Sequence, residues 1–240
     1  MGAVDIPLST DQELLRATAE RFIRESCPLE TVRQLADSES GVGRDYVRKA
    51  GELGWFAMLV PEEFGGGSVS GAGLSDAAVV ATERGRVLQP GPFVPTNVVA
   101  DALARAGSDD QRSKLLPALA AGESLAAWVV AGPTGGWDAG QAVRGAAGGQ
   151  GFVLQGVGSL VQDAPLVDFF LVTASSDEGL TQFLVPAGTP GVHIERLKSL
   201  DLTRRFYQVR FDRHGQPDMA SLKQAAQAHV LITIQMGNHA

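Results

Sequence analysis

The hydrophobic pattern of the chain changes its period once, near Leu125, and this change constrains the fold more than any other feature. Before it, apolar residues recur at spacings of three and four, which is typical of amphipathic helices. After it, short segments rich in Val and Phe are separated by Gly, Pro, Asp and Ser, which is typical of strands and turns. We therefore predict an α+β chain, with an N-terminal helical bundle over residues 1–123 and an antiparallel β-barrel domain over residues 124–216.

Capping signals and stop residues divide the first part into helices. Thr10 opens a capping-box pattern before an amphipathic run that Pro28 ends, and Ser108 opens another before a run that Gly122 ends. Apolar residues at helical spacing predict three more helices, over residues 46–53, 75–84 and 97–106. The first part therefore has the pattern of a helical bundle.

The second part contains six segments with the composition of strands, at residues 126–131, 151–155, 168–174, 180–185, 192–195 and 206–211. Residues 148–151 have the composition of a hairpin turn. No sequence between the strands is long and periodic enough for a crossover helix, so a doubly wound parallel sheet is disfavoured. From 217 to 240 a helical pattern returns, which predicts one residual C-terminal helix whose apolar face must be buried against this chain or another subunit.

The segment at residues 126–138, AAWVVAGPTGGWD, ends an apolar run in a loop that contains three glycines. A strand that ends in such a turn exposes main-chain N–H groups, and a planar or anionic ligand can approach them where no Cβ intervenes. This pattern favours a ligand site at the junction of the two parts. The alternative, that glycine and proline only mark a domain boundary, is equally compatible with the local pattern.

Charge and cysteine content disfavour several classes of protein. The formal net charge is −7 and the basic residues are scattered, which argues against nucleic acid as a partner because phosphate neutralisation needs a clustered basic face. Cys27 is the only cysteine, so no intrachain disulfide is expected, a cytoplasmic location is predicted, and the residue is interpreted as a small apolar one. No apolar run approaches the roughly 18 residues of a membrane span, and the histidines lack metal-ligand spacing.

Four strings in a fixed order resemble the acyl-CoA dehydrogenase family of flavoproteins, and the resemblance covers nearly the whole chain. They are GWF with LVPEEFGG at 54–66, GSDDQ from 107 with LP and AGE up to 123, DLTRR at 201–205, and VRF at 209–211. The resemblance implies a helical domain, a middle β-barrel and a C-terminal four-helix domain, with FAD held between the last two and across a subunit interface. It also implies the reaction, in which a carboxylate takes the α-proton of an acyl-CoA thioester and flavin N5 takes the β-hydride.

The resemblance assigns the cofactor contacts by position, because the family's Thr-Glu-Pro-Gly-Ala-Gly-Ser-Asp loop falls on residues 131–138 and its Trp-Ile-Thr falls on residues 160–162. The implied FAD contacts are Trp128, Val130, Ala131, Gly135, Gly136, Trp137, Leu160, Val161 and Gln162. Ala131 and Trp137 stand where the family has the Thr hydroxyl and the Ser near the phosphates, so the N–H groups of Gly135 and Gly136 are expected to serve instead. Leu160 keeps the main-chain contact and loses the aromatic face.

A further departure concerns the catalytic base. The family's C-terminal domain is expected to be absent beyond its first helix, together with its catalytic glutamate, and residues 219–240 contain no carboxylate side chain. We therefore assign no catalytic residue and expect a C-terminally truncated subunit that takes its base from a full-length acyl-CoA dehydrogenase partner, in a homo- or hetero-oligomer. Two alternatives stay open: a non-catalytic interaction subunit or remnant without flavin, and a CoA-ester binding module without redox activity. Arg204 and Arg205 are either CoA-phosphate ligands or, as we favour, solvated or paired with Asp201.

Overall fold

The N-terminal part is helical, as predicted. The computed structural model describes residues 7–38, 41–136, 141–148, 151–177, 179–212 and 230–232. Within these residues the helices are α1 Thr10–Ser26, α2 Leu29–Asp37, α3 Arg44–Glu52, α4 Gly73–Arg86, α5 Phe93–Ala106 and α6 Asp109–Ala120, with short 3-10 helices at Glu62–Phe64 and Ala164–Leu166. None of the described helices is long and apolar enough to cross a lipid bilayer.

Capping boxes fix the starts of α1 and α6. The cap of α1 is Ser9 and not Thr10, because Ser9 Oγ accepts from the Gln12 N–H at 3.2 Å and Gln12 Oε1 accepts from the Ser9 N–H at 3.1 Å. The sequence prediction is therefore one residue late, since hydroxyl side chains stand at both positions. The box formed by Ser108 and Gln111 is confirmed, with the Ser108 N–H donating to Gln111 Oε1 at 2.7 Å.

One helix is absent from the prediction, and several helix boundaries differ from it. Helix α2 is not predicted from sequence; it begins directly after Pro28, which caps it, and buries Val32. Helix α4 continues through Gly85 to Arg86, and α5 begins at Phe93, four residues earlier than predicted. The continuation of α4 through Gly85 shows that one glycine does not by itself end a helix.

The strands form one mixed sheet. They are β1 Ala126–Val129, β2 Val143–Gly148, β3 Gly151–Gln162, β4 Phe169–Ser176, β5 Gly179–Pro186, β6 Val192–Arg196, β7 Phe206–Phe211 and β8 Val230–Ile232. The sheet order is β6-β7-β3-β2-β4-β5-β8, and β1 pairs with β4. Most pairs are antiparallel as predicted, but β1 runs parallel to β4, with Ala126 opposite Phe169, and β2 meets β4 in parallel at Arg144 and Ser175.

These parallel pairs correct the purely antiparallel prediction. A parallel connection needs a long crossover, and the prediction considers only a helix for that role. Here the β2–β3 hairpin, which the sequence pattern misses in its first strand, provides the connection between β1 and β4. Gly148 lies opposite Gly151 in the hairpin register, and the predicted turn residues 149 and 150 lie outside the described residues.

The sheet closes on itself just after β1. The Ser159 N–H donates to the Ala131 carbonyl at 2.8 Å, in an antiparallel bridge that joins the end of β1 to β3. Strands β1, β4, β2 and β3 therefore form a closed circuit, which accounts for the predicted barrel character. Gly158 permits this approach, because a Cβ at that position would lie 2.0 Å from Val129 Cγ1.

The structure has a strand where a C-terminal helix is predicted. Residues 230–232 pair antiparallel with β5, with Leu231 opposite Phe183. Val and Ile favour extended backbone, and pairing with the edge of β5 satisfies its main-chain groups, so tertiary pairing overrides the helical spacing here. The other residues of the predicted 217–240 helix lie outside the described part of the chain.

The helices and the sheet share a hydrophobic core. One buried cluster joins Trp55 of the helical part with Phe170 of β4. Arg44 in α3 adds a polar link, because its guanidinium donates to both carboxylate oxygens of Asp168, at 2.7 and 3.1 Å. Asp168 also accepts from the Leu125 N–H at 2.8 Å, which fixes the chain at the start of β1. The domain boundary at residues 123 and 124 stays a prediction.

Candidate cofactor site

The glycine-rich loop after β1 folds back on itself. The Gly132 N–H donates to the Gly136 carbonyl at 2.9 Å, and the Gly135 N–H donates to the Gly132 carbonyl at 2.9 Å. Gly135 has a φ of +79°, in the left-handed region that favours glycine. The Gly135 N–H, which is predicted to serve a ligand, is therefore already engaged within the loop, while Gly136 is exposed.

A bulge in β3 brings Leu160 beside this loop. The register of β3 with β7 shifts between Gly158 and Val161, and Leu160 has a φ of +55°, which leucine rarely adopts. A Cβ on Gly135 would lie 3.9 Å from Leu160 Cδ1, so the loop and the side chain are in van der Waals reach. Leu160 is 43% exposed. The structure thus brings together the two segments that the resemblance places at the cofactor.

Other residues on the predicted list are turned away from solvent. Three are buried, namely Val130, Ala131 and Val161. Trp128 is half-buried and packs beside α5 and α6, and its Nε1 donates to Thr173 Oγ1 at 2.9 Å. These four residues can offer a ligand little beyond main-chain groups. Trp137 lies outside the described residues.

Gln162 is held by neighbours on three segments. Its Nε2 donates to the Gly91 carbonyl at 3.1 Å and to Asp163 Oδ2 at 3.2 Å, and its Oε1 accepts from Arg204 Nη2 at 3.0 Å. The side chain therefore ties the end of β3 to the loop between α4 and α5 and to the loop between β6 and β7. Its amide contributes to the joint between these segments.

Arg205 does not have the predicted exposed role. It is 4% exposed, and its Nη2 donates to the carbonyls of Leu35 and Ser38 at 2.5 and 2.8 Å. Carbonyls at the end of α2 thus replace water around this guanidinium, which is why solvation is the wrong prediction. Asp201 accepts main-chain N–H groups of its own loop, including that of Arg204, and so shapes the loop.

Leu160 and the exposed part of the loop form the surface that a ligand can reach. Thr134 is exposed and carries the one hydroxyl of residues 131–136. An apolar side chain beside a loop segment that lacks a Cβ fits the face or edge of a planar, mostly apolar ring, with few polar contacts. The described residues contain no group of His, Cys, Asp and Glu suited to a metal ion.

A groove of about 560 Å³ lies elsewhere, between α1, the start of α2 and the end of α4. Its charges are of both signs and pair locally, Arg24 with Glu20 at 3.7 Å and Arg86 with Glu83 at 3.5 Å. None of the predicted cofactor contacts lines this groove. The groove is therefore separate from the predicted cofactor contacts.

Known proteins are similar to this chain in both sequence and fold. The family model "Acyl-CoA dehydrogenase, N-terminal domain" matches residues 9–123. Acyl-CoA dehydrogenase FadE27 of Mycobacterium tuberculosis is 31% identical over 177 residues, which cover 73% of this chain and 46% of the relative. The chain belongs to the acyl-CoA dehydrogenase family. The resemblance seen in the four strings is thereby confirmed.

Two further matches show how much of a relative's length this chain covers. The structure of the ChsE4-ChsE5 complex from Mycobacterium tuberculosis matches this chain with a TM-score of 0.77 and 26% sequence identity. The match covers 96% of this chain and 59% of the chain in that complex. Acryloyl-CoA reductase (NADH) of Anaerotignum propionicum is 27% identical over 83% of this chain and 52% of its own length. The chain spans about half the length of the curated relatives that it matches.

Two buried charges beside the site are not evident from the sequence. Asp163, directly after Gln162, is 4% exposed, and Arg84 of α4 is 7% exposed. Locally, Asp163 has the pattern of a solvated aspartate at the end of a strand. Its burial depends on α4 and the loop between β6 and β7, which are distant in sequence, so no local signal could have identified it.

Proposed function

We propose that this chain is an FAD-binding subunit of an acyl-CoA dehydrogenase, acting in the α,β-dehydrogenation of an acyl-CoA thioester. The observation that carries the proposal is the closure at Ala131 and Ser159, which sets the glycine loop against the exposed Leu160. Membership of the acyl-CoA dehydrogenase family suggests that the ligand of this surface is a flavin. Solved relatives support FAD as the cofactor, since a Mycobacterium smegmatis glutaryl-CoA dehydrogenase was obtained with FADH2 and a Bacillus anthracis acyl-CoA dehydrogenase with FAD.

In this proposal the chain binds and shields one part of the cofactor. FAD supplies the hydride acceptor when it is bound. The two internal hydrogen bonds of residues 132–136 preorganise the loop before a ligand arrives, which lowers the entropic cost of binding. Leu160 offers an apolar contact that excludes water from the ring. The remaining predicted contacts, including Gly136 and Trp137, belong to the same proposal.

The catalytic base is proposed to come from a partner subunit. Asp163 is the carboxylate that follows the site segment, and at 4% exposed it is enclosed by protein and does not face a substrate. A general base must reach the proton that it removes. A full-length acyl-CoA dehydrogenase subunit would supply both this base and the rest of the cofactor site, in a soluble complex that we place in the cytoplasm.

Exposed apolar side chains around the site support an assembly with such a partner. Leu88 lies on the loop between α4 and α5, Val94 and Val98 lie on α5, Leu160 lies on the bulge, and Leu200 and Leu202 lie on the loop between β6 and β7. Large apolar side chains grouped at a surface are typical of interaction sites. The solved ChsE4-ChsE5 relative is itself a complex of two different chains.

A second function is favoured by one specific observation. The Gly135 N–H, the Trp128 indole N–H and the Gln162 amide all have protein partners. They belong to residues that the resemblance assigns to FAD. In an interaction subunit that binds its partner without flavin, these groups would keep their protein partners. The flavin content of the complex distinguishes this alternative from the FAD-binding subunit.

Flavin content of the purified chain, alone and co-expressed with a full-length acyl-CoA dehydrogenase subunit, tests the proposal. We expect visible flavin absorbance to remain after desalting of a complex captured through a tag on this chain, and to bleach when an acyl-CoA is added. Leu160→Asp should lower flavin affinity by about tenfold or more, because it places a charge against the apolar ring.

The matched control is Leu14→Asp, which changes another exposed leucine, on α1. It should leave flavin content unchanged. A stable complex with the same flavin content in wild type, Leu160→Asp and Leu14→Asp would show that Leu160 does not contribute to the cofactor site, contrary to the proposal. A stable complex without flavin would establish the interaction subunit.

A further inference from the structure

A buried carboxylate lies where the helices meet the end of β3. Asp163 has a φ of +50°, its N–H donates to the Arg205 carbonyl at 2.9 Å, and its carbonyl accepts from the Leu166 N–H at 2.9 Å. Its Oδ2 accepts from Gln162 Nε2 at 3.2 Å. The main chain of Asp163 is thus held by Arg205 and Leu166, and its side chain is held by Gln162.

Basic groups surround this carboxylate without taking it as their main partner. Arg84 of α4 donates through Nη2 to the carbonyl of Pro90 at 2.7 Å and stacks over aromatic rings. Arg205 donates to carbonyls at the end of α2, and Arg204 donates to Gln162. Tyr207 of β7 also lies in the electrostatic field of Asp163. The arginines therefore attract the carboxylate electrostatically, while most of their hydrogen bonds go to main-chain carbonyls and to Gln162.

The enclosure makes the charged form of Asp163 unfavourable. Burial raises the pKa of Asp163 from its ordinary 3.8 to about 6, although the Gln162 hydrogen bond and the charges of Arg205, Arg84 and Arg204 act in the opposite direction. Desolvation disfavours an ionised carboxylate, and only strong direct pairing offsets it. The proton on Asp163 therefore favours the packed arrangement of these segments.

We propose that Asp163 makes the junction of α4, the end of β3 and the loop between β6 and β7 a pH-sensitive joint, tighter when its carboxyl is protonated and looser when it is ionised. The joint adjoins residues 160–162, so a change in its packing reaches the bulge that carries Leu160. This inference concerns the fold of the chain itself and holds whether or not the chain binds flavin.

The direction of the pH effect follows from the raised pKa. A group with a higher pKa in the folded state than in the unfolded state binds more protons when folded. Its contribution to stability is therefore complete below about pH 4, where both states are protonated, and is lost as the pH rises through about 6. The joint is expected to open locally more often at pH 7.5 than at pH 5.

Thermal unfolding of the full chain and of Asp163→Asn, from pH 4 to pH 7.5, tests the inference. Asparagine imitates the neutral carboxyl, so the two proteins should approach the same Tm at pH 4, where the unfolded state also begins to bind the proton, and should already differ in part at pH 5. At pH 7.5 the variant should be more stable, with a Tm higher by about 5 °C. Asp177→Asn is the matched control, because this aspartate is exposed and pairs with Arg144 at 3.4 Å; its Tm should follow wild type at every pH.

Two further measurements on the wild-type protein keep the test decisive if the variant folds poorly. Carboxyl NMR of Asp163 should give a pKa near 6, and hydrogen exchange of the Asp163 amide, corrected for the intrinsic rate, should show more protection at pH 5 than at pH 7.5. A pKa at or below 4 would overturn the joint, as would parallel Tm curves for wild type and Asp163→Asn. A variant less stable than wild type at pH 7.5 would show that the charge itself holds the joint, contrary to our inference.

Discussion

Replacement of Trp55 by alanine is expected to lower the free energy of unfolding by about 4 kcal/mol or more. Trp55 is fully buried in the cluster that the helices and the sheet share. Phe22 and Phe93 pack edge-to-face against it, with ring centroids 5.3 and 6.0 Å away. Removing the indole forfeits its transfer free energy and leaves a cavity that such a rigid surrounding can fill only in part.

Arg84 makes this loss larger than the cavity alone. Its guanidinium carbon lies 5.2 Å from the centre of the Trp55 ring, and the group is almost fully buried. A desolvated cation–π contact contributes on the order of 2 kcal/mol. Without the indole, the buried cation keeps its carbonyl partners and loses one of its two aromatic faces.

Urea unfolding followed by circular dichroism measures the effect, and Trp55→Phe is the control. The phenyl ring keeps an aromatic face for Arg84, and it removes Trp55 Nε1, a buried donor without a hydrogen-bond partner among the described residues. The Phe variant should therefore lose less than about 2 kcal/mol. Equal losses in both variants would mean that the cavity and the cation–π contact contribute little and that the indole shape alone matters.

Much of the helical part could be predicted from sequence, because its signals are local. The capping box at Ser108 and the apolar spacing of α1 are each readable within a few residues. The error at Ser9 shows the limit of such signals, since two adjacent hydroxyl residues offer the same pattern. Helix α2 is not predicted although Leu29, Val32 and Leu35 recur at helical spacing, because it is short and begins directly after Pro28, which the prediction takes as the end of the preceding helix.

The sheet is less predictable because strand pairing is non-local. Six of the strands could be located from composition, but nothing in residues 126–129 indicates that β1 lies parallel to β4. The bulge is equally hidden, since leucine has no preference for the left-handed backbone that Leu160 adopts. Leu160 directly follows Ser159, the residue that bridges to Ala131, so the bulge lies at a contact between segments distant in sequence.

The candidate site divides in the same way. Resemblance to a family brings the glycine loop and residues 160–162 together, and the structure places Gly135 within van der Waals reach of Leu160. Which of their polar groups remain available depends on tertiary contacts that the sequence does not express. The Gly135 N–H is taken by its own loop, and Gln162 is taken by Gly91, 71 residues away in the chain.

A second large effect is expected at Asp76, whose side chain is fully buried at the start of α4. Its Oδ1 accepts from Gln12 Nε2 at 3.0 Å and from Ser70 Oγ at 2.5 Å. Its Oδ2 accepts from Ser68 Oγ at 2.6 Å and from the Ser70 N–H at 3.1 Å. One carboxylate thus joins α1, α4 and the loop between residues 68 and 72.

Asp76→Ala should lower the free energy of unfolding by about 3 kcal/mol, because it leaves several donors in a buried space without their acceptor. Asp76→Asn is the control, since it keeps one acceptor oxygen and the volume of the side chain. It should cost about 1–2 kcal/mol, because the amide nitrogen faces the Ser70 N–H or another donor. Urea unfolding at pH 7 measures both, and an alanine variant as stable as the asparagine variant would contradict the role of the acceptors.

Acid unfolding separates the charge of Asp76 from its shape. Burial alone would raise the pKa of Asp76, but the hydrogen bonds from Ser68, Ser70 and Gln12 outweigh burial and hold it below its ordinary 3.8. The carboxylate therefore contributes stability above pH 3.8, and this contribution is lost as the pH falls through the lower pKa of the folded state. The difference between wild type and Asp76→Asn should shrink on acidification, whereas Asp163→Asn should differ from wild type most at neutral pH. The stability contributions of these two buried aspartates are thus expected to change with pH in opposite directions. Hydrogen-bond donors lower the pKa of Asp76, whereas desolvation raises the pKa of Asp163.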